Sequence, residues 1–461
     1  MPKPSRTKKR KHSQSDTGCR KNRPESRPDT QAKPEWTPTH HHREDQKLAS
    51  IHLPSSAVNI ALSPDDKFAA VIIGERQNAQ AKLQIYCVES FLLVETVQVG
   101  SGHFFGLSFA PSSPHQNGYM VAVSKTCGGA MLWYFDDCGR LRDPADVSQD
   151  VDRTGLYERL GQDIISVLID YYNKEANETR GPLEGITNTL REAFELGQRE
   201  HKIPYRLGGD KVIFSPDGTF LITAIMYDPV STSNGAPLVL WDLRTRVIRH
   251  IIPCVSSKIW WVSISPDSRL IAFGESDTSV QIWDSQTGSF IPPLKVRGAF
   301  IRHGVFSPDS AHIALLNRPG DSDASVFVHG LAGGKRDASL QQVANCSEPI
   351  SWNHDGTLLA VLRAENEISL WDPFTSQRPT RMEWSLPSYT HAYPNSIQFT
   401  DQGRKLMLVS ASGATDVYDM LSLTLHRFPG ETGTVRNALC ARDGSFLAVR
   451  EGKVLTFGGS K

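Results

Sequence analysis

Aspartate recurs at one position of a repeated turn, and carboxylates placed this regularly are candidates for acid–base chemistry. The turn reads Ser-Pro-Asp or a close variant, and each copy lies between two short apolar segments. The aspartates of this series are Asp65, Asp217, Asp267, Asp309, Asp355 and Asp443. A carboxylate in a turn readily bonds neighbouring backbone amides, so the turn alone explains the residue type. We therefore expect these side chains to cap turns and not to act as acids or bases.

The signatures of the common catalytic, nucleotide and metal sites are missing from the sequence. It contains no GxGxxG, GxxxxGK[ST], GxSxG or HExxH pattern and no CxxC pair. Three adjacent histidines, residues 40–42, have no neighbouring groups that would fix them around a metal ion. The seven cysteines are scattered, which favours reduced thiols in a cytosolic or nuclear protein. We expect no catalytic residue, no metal site and no cofactor, and hence a protein that is not an enzyme.

The repeated turns connect short predicted strands. In residues 260–288, Val262 and Ile264 alternate with a polar residue as in a β-strand, a Ser-Pro-Asp turn follows, and two further apolar strands come after it. Such a meander cannot bury both of its faces alone, so it needs copies of itself. Copies of the turn stand at residues 62–66, 109–113, 214–218, 306–310, 352–356, 399–403 and 440–444.

At this point the sequence resembles the WD40-repeat family. The signature dipeptide of that family stands at the end of three predicted third strands, as Trp241-Asp242, Trp283-Asp284 and Trp371-Asp372. The resemblance covers residues 46–458 apart from one insertion, and it implies an all-β fold, a single β-propeller of WD40-like blades. Because this fold carries many unrelated activities, the resemblance says little about function.

The number of blades follows from counting the repeats. Residues 46–54 read as a strand without a turn of its own, and residues 433–458 form a repeat that lacks a fourth strand. Joining the two closes the ring and removes the exposed sheet edges, as WD40 proteins typically do. We predict eight blades, with seven as the alternative if the weak repeat at residues 103–144 or the last one is irregular.

The resemblance also implies a face for binding partners. In the family, the loops that join one blade to the next lie at the channel mouth, where partners commonly bind. The residues that this rule selects here combine aromatic rings with arginine, a composition typical of interfaces. The candidate partner-binding residues are Phe104, Trp260, Trp261, Arg302, Tyr393 and Arg436. Packing between blades is the alternative explanation for the rings. Of the adjacent tryptophans, we expect Trp261 to be presented at the surface.

Two segments fall outside the repeats. Residues 145–208 show apolar residues at three-four spacing and predict a helical hairpin within the propeller, which either packs against the blades or docks a partner. Residues 1–45 are polar and predict a disordered tail. Residues 1–43 hold twelve Lys/Arg and four Asp/Glu, hence +8, which leaves −8 for residues 44–461 because the whole chain has no formal net charge.

The tail contains one compact basic cluster, formed by Lys8, Lys9, Arg10 and Lys11. It fits a nuclear-localisation signal, a nucleic-acid patch or a solubilising tail. The sequence has no apolar run of the roughly 20 residues that a membrane helix needs, and no apolar region at its N-terminus. We expect a nuclear or cytoplasmic protein that is not secreted and does not contact membranes.

Three functions remain open at the level of sequence. The first is a non-enzymatic scaffold that binds a protein or peptide partner on the propeller rim, within a nuclear complex. The second is a chromatin- or RNA-associated protein whose basic tail contacts nucleic acid, since the negative charge of the remaining residues disfavours direct binding by the ring. The third is a propeller enzyme at the channel mouth, which would need converging groups with shifted pKa values.

Overall fold

The described part of the chain lies within one compact unit, Trp36–Lys461. A computed structural model describes its strands and most of the turns that connect them. The described residues are 47–74, 80–101, 104–111, 118–125, 130–142, 208–226, 238–244, 248–252, 259, 261–274, 279–295, 301–317, 324–332, 336–343, 350–364, 367–375, 380–383, 394–410, 415–422, 424–428, 435–441, 446–450 and 453–458.

Eight antiparallel sheets make up these residues, and each is a meander of strands consecutive in the ring. Blade one contains β2 (Ala57–Leu62), β3 (Phe68–Ile73), β4 (Gln80–Cys87) and β5 (Leu93–Ser101), and blade two contains β6 (Phe104–Phe109), β7 (Tyr119–Lys125) and β8 (Ala130–Phe135). Blade three contains β9 (Gly208–Phe214), β10 (Phe220–Met226), β11 (Leu238–Asp242) and β12 (Ile248–Ile252). Blade four contains β13 (Trp261–Ile264), β14 (Leu270–Gly274), β15 (Ser279–Asp284) and β16 (Ser289–Lys295).

The other four sheets repeat this arrangement. Blade five contains β17 (Ile301–Phe306), β18 (His312–Asn317), β19 (Ala324–Gly330) and β20 (Arg336–Val343), and blade six contains β21 (Ile350–Trp352), β22 (Leu359–Ala364), β23 (Glu367–Trp371) and β24 (Thr380–Glu383). Blade seven contains β25 (Pro394–Thr400), a 3-10 turn (Asp401–Gly403), β26 (Lys405–Ser410), β27 (Thr415–Asp419) and β28 (Thr424–Phe428). Blade eight contains β29 (Val435–Cys440), β30 (Phe446–Arg450), β31 (Val454–Gly458) and β1 (Lys47–His52).

The first strand of the chain closes the ring. β1 pairs antiparallel with β31, from Ala49 opposite Phe457 to His52 opposite Val454. Leu455 and Phe457 of blade eight then pack with Ile60 and Val71 of blade one in one core cluster. The predicted closure and the count of eight blades are both confirmed.

The blades pack face to face, so a strand inside a blade has no solvent side. β3 is buried at all six positions. In β14, Ile271 and Phe273 join a cluster with blade three, whereas Ala272 between them joins a cluster with blade five. Apolar residues on both sides of the strand are what such packing requires, which explains why the central strands read as continuous apolar runs.

The ring has two ends, which we name by the connections they carry. At the turn end, the chain passes from the first to the second strand of a blade and from the third to the fourth. At the rim end, it passes from the second to the third strand and from one blade to the next. Of the predicted partner-binding residues, the described ones, Phe104, Trp261, Arg302 and Arg436, belong to the rim end, and the described aspartate turns belong to the turn end.

Blade two differs from the other blades because its described sheet has three strands. After β8 the chain turns back, and Leu141 forms a single bridge with Phe135. The predicted helical insertion at 145–208 lies almost entirely outside the described residues, and its last residue, Gly208, begins strand β9. Within the described residues, no helix has the length and apolar character needed to cross a membrane.

Candidate functional site

The repeated aspartates cap their own turns, as predicted. In blade one, the Ser63 hydroxyl donates to Asp65 Oδ1 at 2.8 Å, and the Lys67 amide donates to the same oxygen at 3.3 Å. Ser63 Oγ also accepts the Phe68 amide at 2.9 Å. Asp66 has a left-handed φ of 62°, which completes the tight turn. The same caps occur at Asp217, Asp267, Asp309 and Asp355, while Asp443 lies outside the described residues.

The aspartate of each Trp-Asp pair also accepts hydrogen bonds from backbone amides of its own turn. Asp284 is only 3% exposed and accepts the backbone amides of Gln286 and Thr287 and the Nε of Arg269. Burial raises the pKa of its carboxyl, but the Thr287 amide and the Arg269 guanidinium outweigh burial and hold the pKa below its usual range. Equivalent amide caps occur at Asp242, Asp372 and Asp419.

Hydrogen bonds also join the turns of neighbouring blades. The Asp217 amide of blade three donates to Ser268 Oγ of blade four at 2.9 Å, and the Asp267 amide donates to Ser310 Oγ of blade five at 3.1 Å. Between blades one and two, the Tyr119 hydroxyl donates to Asp65 Oδ2 at 2.7 Å. Burial and the bond to this carboxylate raise the pKa of Tyr119. Backbone amides, serine hydroxyls and the Asp65 carboxylate therefore join neighbouring blades at the turn end.

The expectation that Trp261 is presented at the surface is wrong. Trp261 is 1% exposed, and its Nε1 donates to the Ile301 carbonyl of blade five at 3.1 Å. Gly274 and Gly304 leave room for the Trp261 indole. A Cβ at Gly274 would lie 2.1 Å from the indole Nε1, and a Cβ at Gly304 would lie 2.4 Å from Cη2. Val262 packs toward blade three and Trp261 toward blade five, so neighbours of opposite parity are both buried.

The other candidate rim residues are only partly described. Arg302 is half-buried and lies at an irregularity in the pairing of β17, between Ile301 and His303. Phe104 begins β6, and Arg436 is the second residue of β29. Trp260 and Tyr393 lie outside the described residues.

The positions Phe104, Arg302 and Arg436 share the rim end but do not form one cluster. They belong to blades two, five and eight, which are not adjacent in the ring. A partner that touches all three would have to span the channel mouth. Shorter partners would engage one of these positions with its neighbouring loops.

One set of surface residues was not found from the sequence. Leu92, Phe374 and Leu421 are 66%, 48% and 72% exposed, and all three lie in turns between a third and a fourth strand. For Phe374 and Leu421 the available signal was an apolar residue two positions beyond an aspartate at or just after the end of a strand, as in Asp372-Pro373-Phe374 and Asp419-Met420-Leu421.

Three neighbouring side chains at the turn end are of residue types that bind metal ions. Ligand atoms of Asp136, Asp137 and Cys138 lie within 4.8 Å of one another among the described residues. Asp136 Oδ1 accepts the backbone amides of Cys138 and Arg140, as the other turn aspartates do. The cap explains Asp136, and exposed acidic groups of this kind are common without a metal ion.

Comparisons with known proteins agree on a repeat fold. No protein-family model matches the chain. The putative BTB/POZ domain and WD-repeat protein R61 of Acanthamoeba polyphaga mimivirus is 26% identical over 235 residues, which is 50% of this chain and 45% of that protein. The target of rapamycin complex subunit LST8 of Bos taurus is 26% identical over 144 residues, 29% of this chain and 42% of that protein. The chain spans about half the length of the curated relatives it matches.

A solved structure extends the likeness to nearly the whole chain. Chaetomium thermophilum Sqt1, crystallised with the N-terminus of the ribosomal protein L10, gives a TM-score of 0.61 and covers 90% of this chain and 99% of its own. The two sequences are 12% identical. At that identity the likeness shows the fold alone.

Proposed function

We propose, from the premise that this chain is a WD40-repeat β-propeller protein, that it is a non-catalytic scaffold that binds a protein or peptide partner at the rim end of the ring. The observation that carries the proposal is the closed ring of eight blades, in which the described aspartates of the repeated turns cap those turns. A closed ring whose repeated carboxylates serve its own turns suits a platform for binding. Among similar proteins, LST8 is named as a complex subunit, and Sqt1 was crystallised with a ribosomal-protein segment.

Arg302 is the residue through which we propose that the rim engages its partner. It stands near the start of β17, next to the connection from blade four, and its side chain is half-buried. A planar guanidinium held in this way can form paired hydrogen bonds with a carboxylate or with backbone carbonyls of a partner. Arginine is also enriched among the residues that dominate protein interfaces.

Replacing Arg302 with alanine is expected to weaken partner binding by about 2 kcal/mol or more, since central anchors carry most of the binding energy. Affinity purification from cells followed by mass spectrometry measures the loss. Arg244→Ala is the matched control, because Arg244 is exposed at the turn end of blade three. Thermal melts verify that both variants fold. An unchanged set of co-purifying proteins for Arg302→Ala would exclude this anchor.

We further propose that the protein works in the nucleus and that its basic cluster directs it there. The cluster Lys8, Lys9, Arg10 and Lys11 lies in a segment of charge +8. At 51.1 kDa the chain is near the size at which passive entry into the nucleus becomes slow.

A variant with all four residues of this cluster changed to alanine is expected to lose nuclear accumulation and to become diffuse. Fluorescence microscopy of tagged full-length chains gives the nuclear-to-cytoplasmic ratio. Changing Arg20, Lys21, Arg23 and Arg27 to alanine removes the same charge from the same segment and serves as the control. Identical distributions for the wild type and the Lys8–Lys11 variant would leave the cluster as a solubilising tail.

A further inference from the structure

The first strand of several blades contains a β-bulge at the same place near the rim end. In blades one, five, seven and eight, the pairing with the second strand skips one residue, which lies five positions before the first residue of the repeated turn. The skipped residues are Val58, Arg302, Asn395 and Arg436. A bulge leaves its extra residue outside the ladder and re-aims its side chain. Two of the predicted partner-binding residues, Arg302 and Arg436, are therefore the bulge residues of their blades.

Blade five differs from the other blades directly beside its bulge. Three positions before the repeated turn, it has Gly304, whereas the other first strands have an apolar side chain. These apolar residues are Ile60, Leu107, Val212, Val262, Ile350, Ile397 and Ala438. The first six of them are between 3% and 9% exposed, so they anchor their strands in the core. Because glycine has no side chain and a freer backbone, the strand that presents Arg302 lacks this anchor of its own.

The indole of Trp261, from blade four, takes the place of the missing side chain. A Cβ at Gly304 would lie 2.4, 2.6 and 2.9 Å from Cη2, Cζ3 and Cζ2, so the six-membered ring of the indole covers the glycine. At its other edge, Nε1 donates to the Ile301 carbonyl at 3.1 Å. Ile301 precedes Arg302 and Gly304 follows it by two positions, so one buried indole contacts the strand on both sides of the arginine.

This arrangement occurs once among the repeats of the sequence. Four positions before the repeated turn, only blade four has a tryptophan. The other first strands have Asn59, Gly106, Lys211, His303, Pro349, Ser396 and Asn437 there. The bulges of blades one, seven and eight therefore have an apolar residue of their own strand beside them, whereas the bulge of blade five depends on a side chain of the neighbouring blade.

We propose that Trp261 is a positioning residue of the rim site, whose indole holds the bulge of blade five on both sides of Arg302 and so fixes how the guanidinium is presented to a partner. The proposal rests on the proposed rim function and deepens it, because it makes the anchor of blade five depend on blade four. The Nε atom of Arg302 is itself shielded from solvent. An arginine held in this way loses less conformational freedom when a partner binds, which favours affinity.

Modification of arginine by phenylglyoxal in the purified full-length chain tests this proposal without a partner. The reagent adds to the guanidinium group, so its rate at Arg302 reports how often local opening frees that side chain. Proteolysis and mass spectrometry give the rate for each arginine separately. Trp261→Phe keeps an aromatic ring and removes the N–H donor. We expect Arg302 to react about fivefold faster in this variant, a factor typical of losing one hydrogen bond. The exposed Arg244, at the turn end, should react at an unchanged rate.

Trp283→Phe is the matched control. Trp283 is 7% exposed, and its Nε1 has no hydrogen-bond partner among the described residues, so the same substitution removes a similar volume and no hydrogen bond. Arg302 should react in this variant as in the wild type. A second variant carries benzothienylalanine at position 261, which replaces the indole N–H by sulfur in a ring of nearly the same shape. It should reproduce the faster reaction of Arg302 even if the smaller phenylalanine disturbs folding.

Equal rates at Arg302 in Trp261→Phe and Trp283→Phe would overturn the proposal. Faster reaction of Arg302 and Arg244 alike would overturn it too, because that pattern means general opening of the ring and a purely structural role for Trp261.

Partner binding separates this proposal from the proposed function. Proteins that Arg302→Ala fails to co-purify should also be lost with Trp261→Phe and retained with Trp283→Phe. If Arg302→Ala loses no protein, the rim anchor is excluded, whereas the reaction rate of Arg302 still decides whether Trp261 positions it.

Discussion

Truncating Trp261 to alanine is expected to lower the free energy of unfolding by about 3–5 kcal/mol, the usual cost of removing a large buried aromatic side chain. The Trp261 side chain is 1% exposed, and its Nε1 hydrogen bond crosses from blade four to blade five. The space that Gly274 and Gly304 leave for the indole has no other side chain to fill it. Urea denaturation of the purified variant measures the change.

Trp283→Ala is the comparison variant, since Trp283 is 7% exposed between blades three and four. Both should lose similar stability, whereas Leu421→Ala, at 72% exposure, should change it little. Gly304→Ala is a second test of the same contact, because its methyl group would collide with the indole. A Trp261→Ala variant as stable as Leu421→Ala would show that the indole is not held between these blades.

Deleting residues 46–54 together with the tail is expected to cost several kcal/mol, whereas deleting residues 1–43 alone should leave stability nearly unchanged. The longer deletion removes β1, its pairing with β31 and the bond from the Leu53 amide to the Lys453 carbonyl at 2.7 Å. It also removes Leu53 and Ile51 from the core between blades eight and one, at about 1.5–3 kcal/mol for each fully buried side chain.

Melting temperatures of chains that begin at residues 44 and 55 measure this difference. The shorter chain should also aggregate, because β31 would present an unpaired edge. As a control, Leu53→Ala in the chain that begins at residue 44 should lie between the two, since it removes one core side chain and keeps the strand. Equal melting temperatures for the two deletions would mean that β1 does not close the ring.

The repeats alone were enough to predict the architecture. Each blade is built from contacts between strands that are close in sequence, and its turns require particular residues at fixed places. The Ser-Pro-Asp turns and the Trp-Asp pairs follow from that local requirement, so their spacing marks the blades. Closure could be inferred as well, because the incomplete repeat at residues 433–458 and the solitary strand at residues 46–54 fit each other.

Whether an individual side chain is buried or exposed depends on packing between blades. Parity along β13 separates Trp261 from Val262, but both faces of the strand are buried, so parity could not tell surface from core. What decides the matter is Gly304, 43 positions beyond Trp261 in the next blade, whose missing side chain makes room for the indole. Phe374 and Leu421 show the converse case, since their apolar side chains favour burial and the tertiary arrangement leaves them exposed. Local spacing therefore determined the number and closure of the blades, whereas the surfaces available for binding were decided by contacts between blades, which lie roughly one repeat apart in the chain.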